Sequence, residues 1–384
     1  MNNRDQPGLI PSIQWLRRYP KEWLRPDILA GLTAAAVVIP KAMAYATIAG
    51  LPVQVGLYTA LVPMVIYALL GTSRPLSVST TTTIAILTAA ELGQVVPNGD
   101  TAALLVAGAT LAMLVGGMLV LASVLRFGFV ANFISEPVLT GFKSGIGLVI
   151  IVDQIPKLLG VHIDKAGFFR DILSIVRHLP QTSIATIVLA LVLLGLMFAM
   201  ERFTPRAPVP LVAVCIAITA SALLGMHEAG VAIVGNIPRG LPAFVWPQLD
   251  LVADMWPAAA GVALMSFTET IAAARAFGVP GEPRPVPNQE LLAVGMANFG
   301  GGFFGAMPAG GGTTQTAVNR AAGARTQLAE LVTAAAAVAT LLLLAPFIAL
   351  MPQAALAAVV VAYSVGLIKP AEFREIRRVR RIEF

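Results

Sequence analysis

The 384-residue chain is 57% apolar and 12% charged, with 34 glycines, 27 prolines, one cysteine and a net charge of +6. A water-soluble domain carries about 25% charged residues, and a soluble surface has no way to hide this much hydrocarbon, so the composition implies an integral membrane protein. The lone Cys215, set in the apolar run Val214-Cys215-Ile216, excludes a disulfide framework and a multi-cysteine metal site, and membrane topology accounts for the positive charge better than a nucleic-acid patch does.

Residues 1–27 carry Arg17, Arg18, Lys21, Glu22, Arg25 and Asp27 without a cleavable leader pattern, and are expected to be a cytosolic segment with a short helix. Membrane elements then follow as apolar runs; spanning ~30 Å of hydrocarbon takes ~20 residues, fewer where a helix is broken. The runs lie near 28–50, 54–70, 101–125, 133–156, 182–200, 208–225, 252–277, 288–304, 326–349 and 352–368. Two further elements, 77–92 and 312–322, are short and polar, so the domain 28–368 holds about twelve membrane elements. Below it, 369–384 is a basic stretch expected to be an interfacial cytosolic connector.

A cytosolic amino terminus puts Arg74, Arg126, Arg202, Arg206, Arg275, Arg284, Arg320, Arg325 and the basic tail inside. Lys157, Lys165, Arg170, Arg177 and Arg239 stay outside, mostly in the 157–181 loop, as the positive-inside rule requires. The expected location is the cell (inner or plasma) membrane.

Two interruptions mirror each other. One runs Gly71-Thr72-Ser73-Arg74-Pro75-Leu76-Ser77-Val78-Ser79-Thr80-Thr81-Thr82-Thr83-Ile84, the other Met307-Pro308-Ala309-Gly310-Gly311-Gly312-Thr313-Thr314-Gln315-Thr316-Ala317-Val318. Each is an extended Pro/Gly stretch leading into a short hydroxyl-rich helix, third in its half of the chain. Matched breaks of this kind point to an inverted-repeat transporter, with a first repeat at about 28–225 and a second from about 252. A half-helix that starts near the bilayer midplane leaves its first N–H groups unpaired and aims its positive end inward. Two facing termini make an anion site, and the Ser and Thr hydroxyls add donors. The plainer alternative is a Thr run bonding the backbone of an ordinary helix.

Glu269 lies mid-span in Ser266-Phe267-Thr268-Glu269-Thr270. A charge there costs about 2.5–3.5 kcal/mol, so it is expected to face a cavity and exchange a proton, or to be satisfied by neighbouring Thr or backbone. Lys41 follows the helix-kinking Pro40 in the first span, placed to neutralise an anion, to pair with Glu269 or to snorkel to an interface. Lys143, Glu136 and Asp153 belong to span ends or helix packing. His162, His178 and His227 share no metal-ligand spacing, and no nucleophile–base pair or nucleotide loop is present, so neither enzyme chemistry nor a cofactor is expected.

Asp27-Ile28-Leu29-Ala30-Gly31-Leu32-Thr33, Ile39-Pro40-Lys41-Ala42-Met43-Ala44-Tyr45-Ala46, Ala49-Gly50-Leu51-Pro52 and Gly56-Leu57-Tyr58 resemble the opening signature of the sulfate permease (SulP), or solute carrier 26, family. Asn288-Gln289-Glu290-Leu291, Asn298-Phe299-Gly300-Gly301, Thr316-Ala317-Val318-Asn319 and Ala322-Gly323-Ala324-Arg325-Thr326 resemble its second-half motifs. The resemblance covers about residues 22–384. It implies an all-α, seven-plus-seven inverted-repeat fold with core and gate domains, and usually a homodimer. Two more spans and a STAS domain would follow Phe384, so the chain is expected to be cut off after about twelve elements, its second repeat incomplete.

By position, the resemblance places Lys41 and Tyr45 at the site from the first element, Ser79, Thr80 and Thr81 from the third, Glu269 from the eighth, and Thr314 and Gln315 from the tenth; Thr313 joins them at that tip. Many members have Gln at the position of Lys41, Gly-Pro at Ser79-Thr80 and Ser-Arg at Thr314-Gln315, which moves the positive charge from the tenth element to the first. The expected function is secondary transport of a small anion (sulfate, bicarbonate, chloride or dicarboxylate) by proton-coupled symport and alternating access. The alternatives are an anion channel and a sodium-coupled bicarbonate or nucleobase carrier on the same scaffold.

Overall fold

The computed structural model describes residues 11–12, 16, 19–132, 136–163, 168–204, 207–235, 240–278, 282–366 and 374. The basic connector apart from Arg374, together with Arg17, Arg18, Lys165, Arg206 and Arg239, lies outside these residues, as do the side chains of Glu136 and Lys143.

Among the described residues every predicted run contains helix, and the helices are numbered in chain order. The first half holds α1 (Leu24–Ile48), α2 (Val53–Thr59), α3 (Val62–Leu70), α4 (Thr82–Val95), α5 (Thr101–Val124), α6 (Glu136–Leu159), α7 (Phe168–His178), α8 (Ile184–Phe203) and α9 (Val209–Leu223). The second holds α10 (Val252–Ala276), α11 (Pro287–Phe303), α12 (Thr313–Ala321), α13 (Leu328–Ala339), α14 (Ala345–Ala349) and α15 (Gln353–Val365). A π-helical turn, Thr340–Leu344, joins α13 to α14. Among the described residues, six helical stretches are long and apolar enough to cross a membrane: Lys21–Ile48, Val53–Leu70, Thr101–Val124, Ile184–Phe203, Leu249–Ala276 and Leu328–Ala349.

Three features depart from the expected pattern. The 54–70 run breaks at Ala60-Leu61, because Pro63 has no N–H to offer the preceding turn and settles instead into the first turn of α3. The 157–181 loop contains α7. Asp27, assigned to the polar leader, is wholly buried and accepts bonds from the Arg325 and Thr326 amides (2.6 and 3.1 Å) and from the Thr326 hydroxyl (2.6 Å). It thereby fixes the start of α1 to the turn before α13.

The chain forms two compact units, each drawn from both halves of the sequence. One comprises 1–133 and 240–342, the other 134–239 and 343–384. In the first unit the pairing is reciprocal. The opening span of each half packs on the fourth element of the other: α1 on α13, and α10 on α5. Such exchange is the signature of an inverted repeat. Helix α5 also lies close along α11, where a Cβ on Gly116 would sit 2.3 Å from the Phe299 amide nitrogen, so only glycine permits the approach. The second unit packs α15 against α6 and α8, and a short bridge joins Ile233 to Pro352.

Candidate functional site

The extended segments before α4 and α12 pair with one another. Val78-Ser79 and Gly310-Gly311 form a two-stranded antiparallel ladder in the register Val78↔Gly311 and Ser79↔Gly310. The pairing continues one step further, with the Gly312 amide donating to the Ser77 carbonyl at 3.1 Å. In hydrocarbon an unpaired strand edge is prohibitive, and each segment supplies the partner the other needs. Both half-helices therefore begin immediately beyond a shared ladder, with their amino termini in the same region of the unit.

At the α4 terminus the Thr81 side chain caps the helix, accepting from the Ile84 amide at 3.3 Å. Its hydroxyl donates to Glu269 Oε2 at 2.6 Å, which ties the third element to α10. At the α12 terminus the N-cap is Gly312, which brings no side-chain capping bond. Thr313 and Thr314 are exposed there, while Gln315 turns inward. Gln315 Nε2 donates to Ser79 Oγ (3.0 Å) and to the Ser77 carbonyl (3.1 Å), linking the two tips by side chains as well as backbone. Thr80 is buried, and its hydroxyl has no hydrogen-bond partner among the described residues.

From α1, Lys41 and Tyr45 are both 4% exposed, so Lys41 is not a snorkelling residue. The Lys41 Nζ stands 5.5 Å from the centroid of the Tyr45 ring, within cation–π range. Tyr45 in turn lies beside Thr82 and within electrostatic reach of Glu269. Thus the residues named from α1, α4, α10 and α12 lie in the same unit, several of them in contact. Direct contacts join Ser79 to Gln315 and Thr81 to Glu269, whereas Thr313 and Thr314 present exposed hydroxyls. The assembly offers two positive helix ends, a buried ammonium and one carboxylate: suited to a small anion, with an acidic group able to carry a proton.

Sequence reasoning missed the polar clamps that hold this geometry. Asn298 grips Ala309 on both backbone groups, accepting from its amide (2.7 Å) and donating to its carbonyl (2.9 Å). Ser266 donates to the same carbonyl at 2.6 Å, and Thr270 accepts from the Gly311 amide at 2.8 Å. On the other side Gln327 Nε2 donates to the carbonyls of Ser73, Arg74 and Leu76, and Asn319 bridges the Pro75 carbonyl and Glu330. Glu290, fully buried, accepts from the Tyr67 hydroxyl (2.7 Å), the Thr72 amide (2.8 Å) and the Thr72 hydroxyl. The signal was present in the sequence: Asn, Gln and Glu inside apolar runs need partners, and glycine-flanked extended segments have backbone groups to offer.

Glu290→Ala removes the acceptor for three donors at once, the buried Tyr67 hydroxyl and the two part-buried donors of Thr72. It is expected to lower stability by about 3 kcal/mol or more, read as an earlier thermal unfolding midpoint in detergent, with Glu290→Gln affected less. An unchanged midpoint in the alanine variant would remove Glu290 from the supports of the 71–77 crossing.

The profile of the Sulfate permease family matches residues 24–384. A probable sulfate transporter of Mycobacterium tuberculosis is 40% identical over 379 residues, covering 98% of this chain and 67% of the relative. Solute carrier family 26 member 6 of Homo sapiens is 29% identical over 385 residues, covering 94% and 51%. Among solved structures, the murine solute carrier 26 family member A9 anion transporter in its inward-facing state superposes with a TM-score of 0.93 at 25% identity, covering 100% of this chain and 68% of that one. The transmembrane domain of the cyanobacterial bicarbonate transporter BicA gives 0.84 at 26% identity, covering 91% and 90%. The chain thus spans about two thirds of the mycobacterial relative and about half of the human one. The expected inverted-repeat transporter fold is the fold of these neighbours.

Proposed function

The chain belongs to the sulfate permease family, and from that premise we propose that it carries a small inorganic anion across the membrane by alternating access, in symport with a proton held by Glu269. The observation that supports this reading most is the ladder between Val78-Ser79 and Gly310-Gly311, which sets two helix amino termini side by side. An anion bound there meets fixed N–H dipoles and the hydroxyls of Thr313 and Thr314, with Lys41 as the nearby cationic side chain in the proposed set. Ser79 and Gln315 then act as the brace that keeps the tips together, and Thr80, Thr81 and Tyr45 complete the wall.

Thr81 donates to Glu269. In the proposed cycle the carboxyl takes up a proton with the anion, so the loaded site moves with its added charge reduced, and releases both on the other side. The family resemblance adds a homodimer, and the distribution of Lys and Arg a cytosolic amino terminus in the cell membrane. Likeness to a bicarbonate transporter domain favours bicarbonate as the second substrate reading, with sodium in place of the proton.

The test is a panel of labelled sulfate, bicarbonate, chloride and dicarboxylate in proteoliposomes, under an inward proton gradient and then under a sodium gradient. Saturable sulfate uptake driven by the proton gradient and competed by excess unlabelled anion is expected. Uptake driven only by sodium replaces the coupling ion. Voltage-scaled current without counterflow exchange would make the protein a channel.

A further inference from the structure

Helix α7 lies between two spans yet leaves its apolar face uncovered. Phe169, Ile172, Leu173 and Val176 fall at i, i+3, i+4 and i+7, on one side of the helix. They are 82%, 37%, 51% and 56% exposed, whereas Ile175, on another side, is buried. The inward side carries Asp171, which lines a cavity of about 370 Å³ together with Asp153, Lys157 and His162. Ile175 and Asp171 thus face the protein, while the stripe of four large apolar side chains is turned away from it.

Arg170 and Arg177 are both exposed and stand seven residues apart, so they share the edge between these two faces, about 10.5 Å apart along the axis. The two ends of the segment are joined. The Ser183 amide, at the start of α8, donates to the Leu159 carbonyl at the end of α6 at 3.0 Å. The 160–183 excursion therefore starts and ends close together, at the junction of α6 and α8.

We propose that α7 is an interfacial anchor, with Phe169, Ile172, Leu173 and Val176 in the acyl boundary and Arg170 and Arg177 on the phosphates of anionic lipid. An amphipathic helix with aromatic and aliphatic residues on one face and arginines beside it takes this position at a headgroup layer. Each arginine near an anionic surface contributes roughly a fivefold gain in affinity. The anchor belongs to the unit formed by 134–239 and 343–384, so the composition of that leaflet is expected to act on this unit directly.

Cys215 is the sole cysteine, so the full chain carrying Cys215→Ala accepts one nitroxide at a time. Labels at Phe169→Cys, Leu173→Cys and Val176→Cys are compared with Arg170→Cys, Ser174→Cys and Arg177→Cys, in vesicles of phosphatidylcholine with and without phosphatidylglycerol. The first three are expected to be several-fold more accessible to oxygen than to water-soluble nickel chelate, the last three the reverse, and Leu173→Cys deeper when phosphatidylglycerol is present. Nickel access at all six positions, a depth indifferent to phosphatidylglycerol, or dipolar broadening showing that a second copy covers this face would overturn the proposal.

Discussion

Glu269→Gln is expected to abolish proton-driven uptake, at least tenfold and down to the rate of empty vesicles, while anion binding stays within about threefold of the parent. The reasoning rests on what the substitution leaves in place. Glutamine has the same length and keeps a carbonyl oxygen where the Thr81 hydroxyl now donates at 2.6 Å, so the contact between α10 and the α4 terminus survives. What is lost is a group able to take and give a proton at this depth. In the proposed mechanism binding rests on helix ends and hydroxyls and is expected to be spared, whereas coupling rests on one carboxyl and is not. Counterflow exchange with the same anion on both sides requires no net proton movement and is expected to continue in the variant. Uptake that still follows the pH gradient in Glu269→Gln would remove Glu269 from the coupling step, and loss of binding would make it a structural support of the Thr81 turn. Thr81→Val separates these outcomes, because it breaks the same contact while keeping the carboxyl.

Much of this architecture was legible in the sequence because membrane spans advertise themselves by length. Fourteen of the fifteen numbered helices, all but α7, answer to long apolar runs or to the two Thr-rich breaks. The break between α2 and α3 was equally present, in Pro63, and was hidden by the continuity of the apolar run around it. Helix α7 went unseen for the opposite reason: its period is 3.6 but its run is short, and charges at Arg170, Asp171 and Arg177 gave it the composition of a loop. At the site, residue types were readable and partnerships were not. Nothing local says that Thr81 will meet a carboxylate 188 residues away, or that Thr72 will be held by Glu290 at a separation of 218. Those pairings are fixed by the reciprocal packing of the two repeats, a property of the fold and not of any window of sequence. Glu290 even stood inside a quoted motif, without a role, because its partners lie in the other half of the chain.

A damaging small change is predicted at Gly311, where a single methyl group tests whether the paired termini shape the binding pocket. A Cβ there would lie 2.7 Å from the Thr270 Cα and 3.0 Å from Leu76 Cδ1. The leucine can turn aside, but the Cα belongs to the backbone of α10, so relief requires the helix or the ladder to move. Both are committed: the Gly311 amide is bonded to Thr270 Oγ1, and the ladder ties Gly311 to Val78. Overpacking of this kind costs about 1–3 kcal/mol, and here the strain falls between the two helix ends and the helix carrying Glu269. Gly311→Ala is expected to reduce both anion affinity and uptake by more than tenfold, with a thermal midpoint lowered but a folded, monodisperse protein still recovered. Gly117→Ala is the matched control, since a Cβ at that helical position meets nothing within 4 Å; it should leave transport unchanged. The two variants argued here have opposite signatures, binding kept and coupling lost at Glu269, binding lost at Gly311. Parent-like affinity in a folded Gly311→Ala protein would mean that the ladder is scaffolding remote from the anion, and the pocket would have to be sought elsewhere among α1, α4, α10 and α12.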